Sequence, residues 1–139
     1  MTPQIPIRVF LLSGSQFLSQ ALRRTMERRA GILVVGACPY SVNASLAIVE
    51  STCDVLLADS VSVLALDSQI PGDQSCSFPH LKVVMIEMDE NAKTSQKFAR
   101  LRVMRSLSKE AAVADVISTI QIVANGENIY SSRLHLMRA

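Results

Sequence analysis

The chain has 139 residues, which suits one compact domain with a hydrophobic core and is too short for two. Hydrophobic residues make up 49% and charged residues 19%, so the composition excludes an intrinsically disordered chain. The net charge of +2 is too small to predict nucleic-acid binding by itself, and no apolar stretch approaches the ~20 residues of a membrane-spanning helix.

The cysteines and the N-terminus indicate where in the cell the protein is located. Cys38, Cys53 and Cys76 are odd in number and widely spaced, so neither a zinc site nor a disulfide framework is expected. The first six residues lack the basic-then-apolar layout of a signal peptide. The sequence therefore predicts a cytoplasmic protein with reduced thiols and no membrane partner.

The first half of the chain alternates apolar runs with helical patterns. The first predicted strand, Ile7–Leu12, precedes a helix that Ser13 or Ser15 can cap and that Gly31 can end in a left-handed conformation. The apolar stripe of this helix, at three- and four-residue spacing, consists of Phe17, Leu18, Ala21, Leu22, Thr25 and Met26. The elements that complete this half are a strand at Ile32–Ala37, a short helix over about 42–51 and a strand at Asp54–Ala58.

The second half is less regular. Residues 60–66 fit one or two irregular helical turns, and Pro71-Gly72 ends any helix there. Leu81–Met88 predicts a fourth strand and Leu101–Met104 a fifth, with a short helix between them. The final helix has the strongest amphipathic pattern, with Ser108 as its predicted cap and Gly126 at its end.

The five strand candidates predict the fold. They are rich in Val, Ile and Leu without clean alternation, which is typical of strands covered on both faces. Right-handed helical crossovers between them generate a parallel sheet. We expect an α/β, flavodoxin-like, doubly wound sheet with helices on both faces, an irregular third helix and a short fourth helix. Residues 1–127 would form this domain, and 128–139 would begin a linker.

Asp59 is the most informative polar residue, because it directly follows the third predicted strand. Partner carboxylates at the end of the first strand would complete a site for a divalent metal, but Ser13-Gly14 stands there. One acid without acidic partners is a poor metal cage. An acid in this place is also often a helix cap, and Ser13 is equally suited to capping.

The order and spacing of these units resemble the receiver domain of bacterial response regulators, and in particular the NarL/LuxR-type transcription factors. The segments that carry the resemblance are Ile7–Leu12, Ile32–Gly36, Asp54–Asp59, Leu81–Ile86 and Val123–Tyr130. Together they span nearly the whole chain. Each segment is moderately specific, and the order of all five carries the resemblance.

The resemblance implies that a phosphorylation site has been dismantled. Asp59 falls at the phosphoacceptor, and Ser13 and Gly14 replace the acidic pair that holds Mg²⁺ in the family. A hydroxyl and a glycine cannot supply two negative charges, so no metal or other cofactor is expected, and no enzymatic activity.

Three further positions depart from the family. Glu87 falls where a Thr or Ser binds the phosphoryl oxygen, Arg105 falls at a Lys, and Arg102 falls at an aromatic switch residue. Two like charges ~4 Å apart repel by about 4 kcal/mol at an effective dielectric near 20, so Glu87 would disfavour a phosphorylated state. We expect Asp59 to form a bidentate ion pair with Arg105 instead.

These features together predict a pseudo-receiver, a regulatory domain that works independently of phosphorylation. It would form a homodimer and control a helix-turn-helix domain beyond Ala139, through which alone it would contact DNA. One alternative is a domain that senses a small molecule in the crevice at the strand ends. A less favoured alternative is residual phosphoacceptance by Asp59.

Overall fold

The computed structural model describes residues 5–29, 31–69, 81–87, 101 and 103–125. The elements within them are β1 (Ile7–Leu12), α1 (Gln16–Glu27), β2 (Ile32–Cys38), α2 (Ala44–Ser51), β3 (Val55–Asp59), α3 (Ser60–Gln69), β4 (Lys82–Glu87), β5 (Val103–Ser108) and α4 (Val113–Ala124). All five strands pair in parallel in the order β2-β1-β3-β4-β5, which is the flavodoxin-like order. The predicted fold class is confirmed.

The sheet is covered on both faces because successive strand residues point to opposite sides. On one face, Val9 and Leu11 of β1 pack with α1 and α4. On the other face, Phe10 and Leu12 pack with α2 and α3. This two-sided burial explains why the strands read as continuous apolar runs. No helix among the described residues is long and apolar enough to cross a membrane.

Helix α1 begins and ends largely as predicted. The Ser15 hydroxyl accepts a hydrogen bond from the Leu18 backbone N–H, and Gly31 has a φ of +95°. Leu22 and Met26 are buried, whereas Phe17 is 85% exposed, which corrects its predicted place in the apolar stripe. The buried line follows a four-residue spacing from Leu18, and Phe17 lies on its flank.

A close approach between two strands requires the glycine at position 36. The register of β1 against β2 shifts after Val9, so that Phe10 lies opposite Gly36 and Val35 is passed over. A Cβ atom on Gly36 would lie 2.5 Å from Cε2 of the Phe10 ring. Because Phe10 is buried, its ring has little room to move away.

Several element boundaries differ from the sequence-based expectations. The third helix is a continuous α-helix that starts directly after Asp59, and no loop separates it from β3. Strand β5 ends at Ser108, four residues later than predicted. Ser108 is therefore a strand residue, and α4 begins at Val113 with Ala112 as its N-cap. The predicted fourth helix lies outside the described residues.

Candidate functional site

The candidate site lies at the C-terminal edge of the sheet, where β1 and its neighbour β3 end. Leu12 pairs with Ala58 in the register of these strands, so the residues that follow them, Ser13 and Asp59, come side by side. Asp59 is 6% exposed and Ser13 is 7% exposed. The topology thus brings together, in a buried position, two polar side chains that are distant in sequence.

The carboxylate of Asp59 accepts three hydrogen bonds. Its Oδ2 atom accepts from the Ser13 hydroxyl at 2.8 Å and from the Gly14 backbone N–H at 3.2 Å. Its Oδ1 atom accepts from the Ser62 backbone N–H at 2.7 Å. Both oxygens are therefore engaged by donors of the protein itself, which is how a buried carboxylate is stabilised.

Asp59 is also the N-cap of α3. The helix starts at Ser60, so Ser62 is its third residue, and an N-cap side chain bonds the N–H group at this position. The positive end of the helix dipole adds a favourable interaction with the negative carboxylate. Asp59 therefore acts as a helix cap, which was one of the interpretations of its place in the sequence.

The hydroxyl of Ser13 links this carboxylate to α1. While its one proton goes to Asp59, its oxygen accepts a hydrogen bond of 3.1 Å from the Ser15 backbone N–H. Ser15 in turn caps α1. The N-termini of α1 and α3 are thus joined through one hydroxyl–carboxylate pair.

This arrangement does not fit a magnesium ion. Mg²⁺ takes oxygen ligands in near-octahedral geometry, usually with carboxylates among them. Beside Asp59 the chain supplies a hydroxyl whose proton is already donated, and a Gly14 N–H that points at the carboxylate as a donor. The part of the chain that the structure describes contains no group of three or more His, Cys, Asp or Glu residues able to hold a metal ion.

Glu87 ends β4 beside this site. Ile86 pairs with Asp59, so Glu87 lies one residue further towards the edge, and its side chain is half-buried. The Glu87 carboxylate makes no hydrogen bond or ion pair with any other described residue. Its position adds a second negative charge to the neighbourhood of Asp59.

The ion pair expected between Asp59 and Arg105 does not form, so that prediction is wrong. Arg105 pairs with Val84, which precedes the partner of Asp59 by two residues. Two strand spacings and two residues along the strand put the Cα atoms of Arg105 and Asp59 about 12 Å apart. Between described residues, the structure shows an ion pair of Arg23 with Glu27. Arg102, the predicted switch position, lies outside the described residues.

A different basic residue follows β5 at the candidate edge. Lys109 comes directly after Ser108, the last residue of β5, and is exposed. The hydrophobic pattern missed it because β5 contains an arginine and two serines, so its apolar character is weak. In the sequence, Lys109 is a second basic residue four positions after Arg105.

A cavity bounded by described residues lies at the opposite edge of the sheet. It measures about 290 Å³, and its polar lining includes Asp54, Lys82 and Asn125. The Lys82 ammonium donates to the carbonyl of Ala124 near the end of α4, at 3.3 Å. This cavity is separated from Asp59 by the length of the strands, so it does not belong to the crevice in which a ligand was expected.

Comparison with known proteins shows that response regulators of known structure share this fold. No protein-family model matches the chain, and no curated protein matches it. The signal receiver domain of the response regulator NarL from Mycobacterium tuberculosis superposes with a TM-score of 0.68 at 16% identity, covering 89% of this chain and 99% of that one. A LuxR-family two-component response regulator from Aurantimonas sp. SI85-9A1 gives 0.68 at 16%, covering 94% and 99%. The isolated receiver domain of RcsB from Salmonella enterica serovar Typhimurium gives 0.66 at 15%, covering 89% and 92%.

Proposed function

We propose that the chain is a receiver-like regulatory domain of a bacterial response regulator transcription factor, and that it works without phosphorylation of Asp59. The receiver-domain fold supports the class of protein. The observation that carries the loss of phosphorylation is the buried Asp59 carboxylate, which accepts bonds from Ser13, Gly14 and Ser62. This is a regulatory role and not an enzymatic one.

A carboxylate in this state is a poor nucleophile. To attack a phosphorus atom, an oxygen of Asp59 needs a free lone pair that faces the phosphodonor. Oδ2 accepts two hydrogen bonds and would have to release one of them to attack, and leaving a buried donor unpaired costs about 1–3 kcal/mol. Oδ1 keeps one lone pair beside its bond from Ser62, and that bond stabilises the negative charge and so lowers the nucleophilicity of the oxygen. Among the described residues, no pair of acids lies near Asp59 to hold the metal that would offset the charge of the incoming phosphoryl group.

The bounds of β5 give a second line of support. The resemblance assigned Arg105, which directly follows the strand predicted at Leu101–Met104, to the family's lysine, whereas Lys109 follows β5 in the structure. Moving both assignments by the same four residues places the lysine position at Lys109 and the switch position at Ser106. Ser106 is exposed and has no ring that could rotate between buried and exposed positions. Under this reassignment a lysine follows β5, and the switch position has no aromatic side chain, which supports the loss of switching by phosphorylation.

The expected output is DNA binding by a separate domain of the same protein, with this domain as the dimerisation unit. Two RcsB dimers bound to two parallel DNAs form one of the similar structures, with a TM-score of 0.67 at 15% identity and 63% coverage of that chain. By analogy, a pair of these domains would hold two DNA-reading units at a fixed spacing.

Intact-mass measurement tests the central point. The protein is incubated with acetyl phosphate and Mg²⁺, and we expect no gain of a phosphoryl group. A receiver domain with a complete acidic pair serves as the positive control for the reagent. A stoichiometric mass gain that disappears in Asp59→Asn would contradict the proposal.

A rebuilt site provides the matched control. In Ser13→Asp/Gly14→Asp/Glu87→Thr the acidic pair and the hydroxyl residue of the family are restored, and we expect Mg²⁺ to raise the melting temperature of this variant. The wild-type chain should show no such rise. Stabilisation of the wild type by Mg²⁺ that Asp59→Asn abolishes would show that the native residues already form a metal site.

A further inference from the structure

Helix α2 is apolar on both of its sides. Ala44 and Ile48 face the core, while Leu46 and Val49 on the other side are 58% and 55% exposed. Val42, in the turn before the helix, is 75% exposed. A helix that is hydrophobic all round is normally covered on all sides, so one side of α2 lacks its cover within the described residues.

The exposed residues of α2 form a row suited to helix pairing. Leu46 and Val49 are three residues apart, a spacing that places both on one side of α2, and Val42 lies in the turn two residues before the helix. Two such rows pack at a crossing angle near 20°. The row is short, and Leu46 lies at its middle.

Helix α3 extends this apolar surface. It packs on the same core cluster as α2, through Val63 and Leu66, and it exposes Val61 and Leu64. We name the exposed surface made of Val42, Leu46, Val49, Val61 and Leu64 the α2–α3 face. Because both helices cover the same face of the sheet, their exposed side chains project into solvent on that one side of the domain. Five large aliphatic side chains expose on the order of 500 Å², which is near the upper limit for a monomer.

The charges around this face favour a second copy as the occupant. Among the exposed residues of 41–52 and 60–69, Glu50 alone carries a formal charge. A surface paired with itself across a two-fold axis meets its own charges, so a nearly uncharged apolar surface avoids repulsion. The exposed arginines of α1 lie in the other helical layer. Pairing two such faces would bury about 1,000 Å², the lower limit for a specific interface.

We propose that the α2–α3 face binds a second copy of this chain, with the two α2 helices packed across a two-fold axis near Leu46. The inference deepens the proposed function, which requires a dimer, by assigning the surface that forms it.

Sedimentation velocity of the 139-residue chain over a concentration series tests the assignment. We expect the wild type to dimerise and Leu46→Glu to raise the dissociation constant at least about tenfold, because each subunit would bury an unpaired carboxylate. Phe17→Glu is the matched control, since Phe17 is an exposed apolar residue of α1. Circular dichroism checks that each variant keeps its fold, and Val42→Glu repeats the test at a position outside α2.

A charge-pairing experiment locates the axis. Leu46→Glu and Leu46→Lys should each weaken the dimer when alone, whereas an equimolar mixture should recover it as a heterodimer. A dimer that survives Leu46→Glu and Val42→Glu but dissociates in Phe17→Glu would overturn the α2–α3 face and leave dimerisation intact. A wild type that stays monomeric at all concentrations would overturn both the face and the dimerisation in the proposed function.

Discussion

The hydroxyl of Ser13 donates a hydrogen bond of 2.8 Å to the carboxylate of Asp59, across 46 positions of sequence. This bond joins the ends of two adjacent strands in a buried site. The contribution of Ser13 to the free energy of unfolding can therefore be measured independently of any regulatory function.

Ser13→Ala should destabilise the fold. It removes one donor from a buried carboxylate and one acceptor from the Ser15 backbone N–H, and such losses cost about 1–3 kcal/mol. Urea unfolding followed by circular dichroism measures the change. Ser118→Ala, an exposed substitution of the same type on α4, should change the free energy of unfolding by less than about 0.5 kcal/mol. Equal effects of the two substitutions would contradict the importance of this bond.

Gly36→Val should also destabilise the fold, because the new side chain meets the buried ring of Phe10. Overpacking of this kind costs about 1–3 kcal/mol. Gly14→Ala is the control, since no atom lies within 4 Å of a Cβ at that position. Thermal unfolding of both variants gives the comparison. In a double variant, Phe10→Leu should recover part of the loss; simple addition of the two single effects would refute the proposed clash.

Thr52→Gly should stabilise the fold slightly. Thr52 follows α2 with a φ of +52°, a left-handed conformation in which a side chain is strained and a glycine is not. The greater freedom of glycine in the unfolded chain offsets part of the gain, so we expect about 0.5 kcal/mol from chemical unfolding. Thr52→Ala keeps the strain and should bring no gain. Stabilisation by alanine as large as that by glycine would show that backbone strain is not the cause.

The stability should fall at alkaline pH in part because of Cys53. Desolvation by burial raises the pKa of the Cys53 thiol above its ordinary value of 9.0. The folded state therefore holds the thiol proton more tightly, and the resulting contribution is complete below pH 9.0 and is lost as the pH rises through the raised pKa. The free energy of unfolding at pH 8 and pH 10, measured under reducing conditions, should fall less in Cys53→Ala than in the wild type. An identical fall in both proteins would exclude this contribution.

The sequence sufficed for the fold because the buried strands leave a strong trace. Strand β1 was predicted with its observed bounds, since side chains on both of its faces are buried and Arg8 is the one polar residue in its apolar run. The cap at Ser15 and the positive φ of Gly31 follow from local chemistry that these residue types carry. Features of this kind depend on neighbours along the chain or on burial alone.

The site was harder to predict because its donors are mainly backbone groups. Charge complementarity suggested an arginine for Asp59, yet the N–H groups of Gly14 and Ser62 reach the carboxylate. No residue type reports the direction of a backbone N–H. The bounds predicted for β5 were wrong for a related reason. An edge strand has one neighbouring strand and keeps polar residues such as Arg105, so its apolar pattern is weak.

Strand β3 passes directly into α3, so no loop residue separates Asp59 from the helix. A change in the position of Asp59 would therefore disrupt the first turn of α3, which its carboxylate caps. If such a domain acts by pairing, mass action becomes the control, and the cell would adjust the output by how much protein it makes and how fast it degrades it.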